Sequence, residues 1–124
     1  VTAAATAVAW GEVADLLDTA GDELERRGWC QGVDGDDGSD PDGCRVCLDG
    51  ALYAATTGSP FPDPADFHTG NVGLRCEARQ VLREVIGLPF PEPLTSWNDQ
   101  PGRTAEQVIA AVRQAARVAR GRAA

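Results

Sequence analysis

The chain has 124 residues, 43% of them apolar and 24% charged, with a formal net charge of −8. That length suits one domain with a core of its own, and no apolar run approaches the roughly 18 residues of a membrane span. The acidic balance disfavours nucleic acid as a partner, because phosphate neutralisation needs surplus cations.

The segment Val1 to Ala9 carries no basic residue ahead of its apolar stretch, whereas a secretory signal needs one. A cytoplasmic location is the expectation. Trp10, Val13, Leu16, Leu17, Ala20 and Leu24 then recur at helical spacing, and Gly28 follows Arg26 and Arg27 as a stop. The spacing predicts a first helix over residues 8–27. Residues 33–43, rich in Asp and Gly, have no periodicity and read as a solvated loop.

A second helix is expected over Cys44 to Thr56, thin-sided because Gly50, Ala51, Ala54 and Ala55 populate it. Residues 58–70 contain Pro60, Pro62 and Pro64 and cannot continue a helix, so they read as a covering loop anchored by Phe61 and Phe67. A third helix is expected over 71–86, stopped by Gly87. After a short turn around Leu94 to Trp97, Thr104 and Gln107 form a capping box for a fourth helix reaching residue 120. With no alternating strand pattern, the expected fold is all-α: a small four-helix bundle, forming a single domain over 1–124, with an Asp/Gly-rich loop and a Pro-rich covering loop.

Charge is unevenly placed along this order. Residues 1–66 hold 14 acids and 3 arginines, a balance of −11, and residues 67–124 hold 5 acids and 8 arginines, a balance of +3. All the basic residues are arginine, as a GC-rich coding sequence favours. The two halves are expected to attract each other within the domain. The sharper alternative is a basic stripe of Arg113, Arg117, Arg120 and Arg122 touching a partner.

Four cysteines and one histidine are the first candidates for chemistry. Cys44 and Cys47 have zinc-knuckle spacing and, on a helix, would share a face. Cys30 with Cys76 or His68 would complete a tetrahedral set. A zinc ribbon needs two such pairs, however, so buried free thiols are the main expectation, with zinc or a disulfide as alternatives. The Asp-rich loop fails as a calcium-binding EF-hand, because the twelfth position from Asp34 is Arg45 rather than Glu.

The densest segment is Trp97-Asn98-Asp99-Gln100-Pro101-Gly102-Arg103-Thr104. Read structurally, Trp97 plugs the core, Asn98 or Asp99 bonds turn amides, and Arg103 pairs with a carboxylate. Read functionally, Trp97, Asn98, Asp99 and Arg103 are a binding cluster at a helix N-terminus, suited to an anion.

Three blocks carry a resemblance: Arg27-Gly28-Trp29-x-Gln31-Gly32, then Cys47-x-x-Gly50-Ala51-Leu52, then Trp97-Asn98-Asp99-x-x-Gly102-Arg103-Thr104 with Glu106 and Val108 following. Together they resemble an uncharacterised family of small proteins from actinobacteria and their phages, carrying a domain of unknown function. The resemblance spans most of the chain and implies no activity. It places Cys47 within the family-like pattern and Cys30, Cys44 and Cys76 outside it.

The leading functional expectation is a small, non-catalytic binding or regulatory protein acting through protein–protein contacts. A small enzyme with a polar pocket near Cys47, His68, Asp99 and Arg103 is the alternative, and a zinc-stabilised helical domain the second. No cofactor is expected except, in that last reading, Zn2+.

Overall fold

The spacing of Val13, Leu16, Leu17, Ala20 and Leu24 winds α1 (Trp10–Arg27) with those side chains buried on one side. Gly28 ends it at φ +91°, its N–H closing on the Leu24 carbonyl. A computed structural model describes residues 7–124, apart from the His68 side chain. Val1 to Thr6, most of the segment behind the targeting expectation, lie outside the described residues.

The second helix, α2 (Leu48–Thr57), starts four residues later than its alanines suggested. Cys44 belongs to the preceding turn, where its N–H bonds the Asp40 carbonyl. Val46 is extended, bridging in parallel to Trp29 and antiparallel to Gly35. Cys47 is the N-cap, its Sγ accepting the Gly50 N–H. The shared helical face expected of Cys44 and Cys47 therefore does not exist.

The Pro-rich segment covers the fold, but not through both phenylalanines. Phe61 is half-buried, while Phe67, on a short 3-10 helix (Pro64–His68), is 62% exposed. The anchor is Asp66, buried and ion-paired to the buried Arg75. Asn71 donates to the same carboxylate at 2.8 Å and Thr69 at 3.0 Å. A phenylalanine is the natural sequence signal for an anchor; a paired acid looks like any surface residue until its partner is placed.

Helix α3 (Asn71–Ile86) ends at Gly87, which is left-handed at φ +69°. A fifth helix, α4 (Leu94–Asn98), replaces the turn expected there. It spans five residues, too few to show a period, and its signals are Pro93 at the start and the buried Leu94. Helix α5 (Ala105–Ala123) opens with the capping box of Thr104 and Gln107. Among the described residues, therefore, the chain is mostly helical, with five α-helices and no strand.

Helix α1 is central, packing against α5, α2 and α3, while α4 rests on α2. The opposite charges of the two halves meet along α1 and α5. Arg113 pairs with Asp22 at 2.7 Å and Arg120 with Asp15 and Asp18. Arg122 bonds Glu84 of α3 and stacks over Trp10. Such exposed pairs contribute little to stability, because solvent screens them. Three of the four arginines of the expected partner-facing stripe are therefore engaged within the chain.

Candidate functional site

Asn98 is fully buried at the end of α4, and every hydrogen-bonding position of its amide is filled. Its Oδ1 accepts the Trp29 indole N–H at 2.7 Å and the Leu48 backbone N–H at 3.0 Å. Its Nδ2 donates to the Cys30 carbonyl at 3.2 Å and to Asp99 Oδ1 at 2.9 Å. Donor-only groups face the oxygen and acceptors face the nitrogen, which fixes the orientation of the amide. The three sequence blocks, distant in the chain, meet on this one side chain.

The surrounding contacts extend the same joint. Gln31 Nε2 donates to the carbonyls of Asn98 and Gln100, both at 3.0 Å, and the Gly32 N–H donates to Asp99 Oδ1 at 2.9 Å. Arg103 stacks on Trp97 at 3.9 Å and donates to the Trp97 carbonyl and to Gln100 Oε1. Arg27, buried at the end of α1, reaches the carbonyls of Pro41 and Gly58, holding the Asp/Gly loop against the end of α2.

These contacts set the walls of a polar cleft of about 280 Å3, lined by Gly32, Val33, Asp34, Cys47, Thr95 and Asp99. Asp34 is aimed by its own backbone. Its carbonyl accepts the Cys47 N–H at 3.1 Å and lies 2.0 Å from where a Cβ on Gly50 would stand. Only glycine at position 50 lets the loop come this close to the first turn of α2.

Burial, and then the neighbouring Asp49, push the Asp34 carboxyl above its ordinary value, against the opposing effects of the Cys47 hydrogen bond and Arg79. Burial likewise pushes the Cys47 thiol up to about 12, with Asp34 and Asp49 adding to the rise against the Gly50 N–H. Cys47 therefore meets Asp34 Oδ1, 3.6 Å away, as a neutral S–H donor. Cys30, also buried, is pushed up to about 11 and donates toward the Val33 carbonyl.

Of the four binding residues expected from sequence, Asp99 alone lines the cleft. Asn98 and Arg103 have their groups engaged in bracing it, and Trp97 is half-buried beneath Arg103. Of the alternative pocket set, Cys47 and Asp99 come together while Arg103 faces its own turn; the His68 side chain lies outside the described residues. All four cysteines are free: Cys30, Cys44 and Cys47 are buried, and Cys76 is exposed on α3. No group of three or more His, Cys, Asp and Glu side chains placed to hold a metal ion occurs among the described residues.

Asp34 entered the sequence reading only as the start of a failed calcium loop, and Thr95 and Val33 not at all, because an aperiodic loop and a short turn gave them no pattern. The available signal was Gly50 inside a predicted helix, where a glycine marks a close approach. The approaching group is the Asp34 carbonyl.

No described helix is long and apolar enough to cross a membrane. A sequence model of a family described as of unknown function, DUF6197, matches residues 9–118. No curated protein and no solved structure matches the chain.

Proposed function

The chain belongs to DUF6197, a family of unknown function, and within it we propose that this protein is a small binding module that takes a basic segment of a protein partner in the cleft between Asp34 and Asp99. The observation that carries the reading is the distribution of uncompensated charge. The acids of α1 are matched by arginines of α5. No arginine lies within ion-pair distance of the carboxylates of Asp34, Asp37, Asp40, Asp42 or Asp99.

At Asp34, burial and then the neighbouring Asp49 outweigh the relief that Cys47 and Arg79 give its negative charge. A guanidinium or ammonium from a partner supplies that compensation. Val33, 50% exposed at the rim, adds an apolar contact for the stem of such a side chain. The Asn98 network fixes the walls beforehand, which lowers the ordering cost of binding.

The neutral state of the Cys47 thiol favours binding over nucleophilic catalysis, since the thiolate is the nucleophile. Four free thiols suit a reducing compartment, as the cytoplasm is.

An NMR titration of the labelled chain with an acetylated arginine-rich tetrapeptide amide, beside an equally long acidic peptide, tests the reading. Saturable shifts at Gly32 to Asp34 and at Thr95 with the basic peptide alone are expected. Shifts confined to α5, or equal responses to both peptides, would overturn it.

A further inference from the structure

Across Thr95 from the acidic cleft lies a second cavity, of about 210 Å3, bounded by Arg79 and Arg83 of α3, Asp49 of α2, and Pro93 to Thr95 at the start of α4. Thr95 lines both cavities. Arg79 is partly satisfied, its Nε donating to Asp49 Oδ1 at 2.9 Å. Arg83 is different. Its Nη1 is buried without a hydrogen-bond partner among the described residues. Its guanidinium lies over the Phe90 ring at 5.7 Å and is within ion-pair distance of none of the described carboxylates.

A guanidinium cannot shed its charge, and its fork of donors matches an oxyanion. A guanidinium without a carboxylate partner gains charge-assisted hydrogen bonds from a bound oxyanion through the donors that face the cavity. We propose that Arg83, with Arg79 and the Thr95 hydroxyl, forms an oxyanion subsite for a carboxylate, or a phosphoryl group, on the same peptide segment whose basic side chain enters the Asp34–Asp99 cleft. The pairing of the two halves rests on the reading of that cleft; the oxyanion subsite itself rests on Arg83. A space of this size admits one such group rather than a whole drug-sized ligand. Cavities of opposite sign meeting at Thr95 select a segment carrying both signs, and discriminate against one that is uniformly basic or acidic.

The test follows the Arg Nε–Hε signals of the full chain during titration with acetate, inorganic phosphate or chloride at constant ionic strength. A saturable shift at Arg83 with acetate or phosphate, and none with chloride, is expected. Saturation by acetate identifies a carboxylate source, and by phosphate a phosphorylated one. Arg83→Lys, which keeps the charge but loses the fork, should weaken that binding at least tenfold as read at Thr95, and Arg83→Met should abolish it. Arg83→Lys, which keeps a cation for the exposed Phe90 ring, should not lower the unfolding midpoint, because no hydrogen bond or ion pair is lost; a purely structural Arg83 would lower it. No saturable shift with either oxyanion, or anion binding that survives in Arg83→Met, would overturn the subsite. Basic-peptide binding that persists when the anions fail would remove the subsite and leave the cleft reading standing. Anion binding without basic-peptide binding would keep the subsite and remove the cleft reading.

Discussion

The indole N–H of Trp29 and the side-chain oxygen of Asn98 are bonded at 2.7 Å across 69 positions of sequence. Asn98→Ala would strand that donor together with the Leu48 N–H and the Cys30 carbonyl. Each buried group left unpaired costs about 1–3 kcal/mol, so a total loss of at least about 3 kcal/mol is expected. Urea unfolding reads it. A loss below about 1 kcal/mol would show that the network is not the joint described.

Gly50→Ala would drive a methyl group into the Asp34 carbonyl, a backbone atom that cannot rotate away. A destabilisation of about 3 kcal/mol is expected, with displaced amide signals over residues 34–36 and weaker peptide binding. Unchanged signals in that loop would contradict the close approach.

The thiols give a third prediction. Cys76 is exposed, whereas Cys30, Cys44 and Cys47 are buried, and the thiols of Cys30 and Cys47 are pushed up to about 11 and about 12. A maleimide at neutral pH should label one cysteine in the native chain and four after unfolding. Rapid labelling of Cys47, or fewer than four sites after unfolding without reductant, would contradict this arrangement.

Asp66 makes acid stability testable. The Asn71 amide, then the Arg75 guanidinium, hold its carboxyl below the ordinary range, and the Thr69 hydroxyl assists. A carboxyl depressed on folding contributes stability above its unfolded value of about 3.9, and that contribution is lost as pH falls through the folded value. The advantage of the wild-type chain over Asp66→Asn should therefore shrink between about pH 5 and about pH 2. A constant advantage over that window would contradict the clasp. Phe67→Ala, at an exposed position, should stay within about 0.5 kcal/mol of wild type.

The long helices were legible because apolar spacing in α1, α3 and α5 reports burial directly, and the capping box of Thr104 and Gln107 is a local signal. Elements fixed by distant partners were not. Residues 44–47 looked helical until Val46 was placed between Trp29 and Gly35, and α4 is too short to show a period. Within the site, the Trp97 to Thr104 segment stood out for its composition. Yet its Asn98 braces the fold and of its residues only Asp99 lines the cleft, which also takes Thr95 and Asp34, the latter placed by contacts with Cys47 and Gly50. The charge split between the halves was legible as an internal attraction; which carboxylates it leaves without an arginine was not.

The most direct measurement is calorimetric titration of the arginine-rich tetrapeptide amide into the wild-type chain and into an Asp34→Asn, Asp99→Asn double variant at physiological salt, with Arg117→Ala as a surface control. At least tenfold weaker binding by the double variant, about 1.4 kcal/mol, is predicted, with the control unchanged. Equal affinity for the double variant and the wild type would contradict the assignment of the cleft.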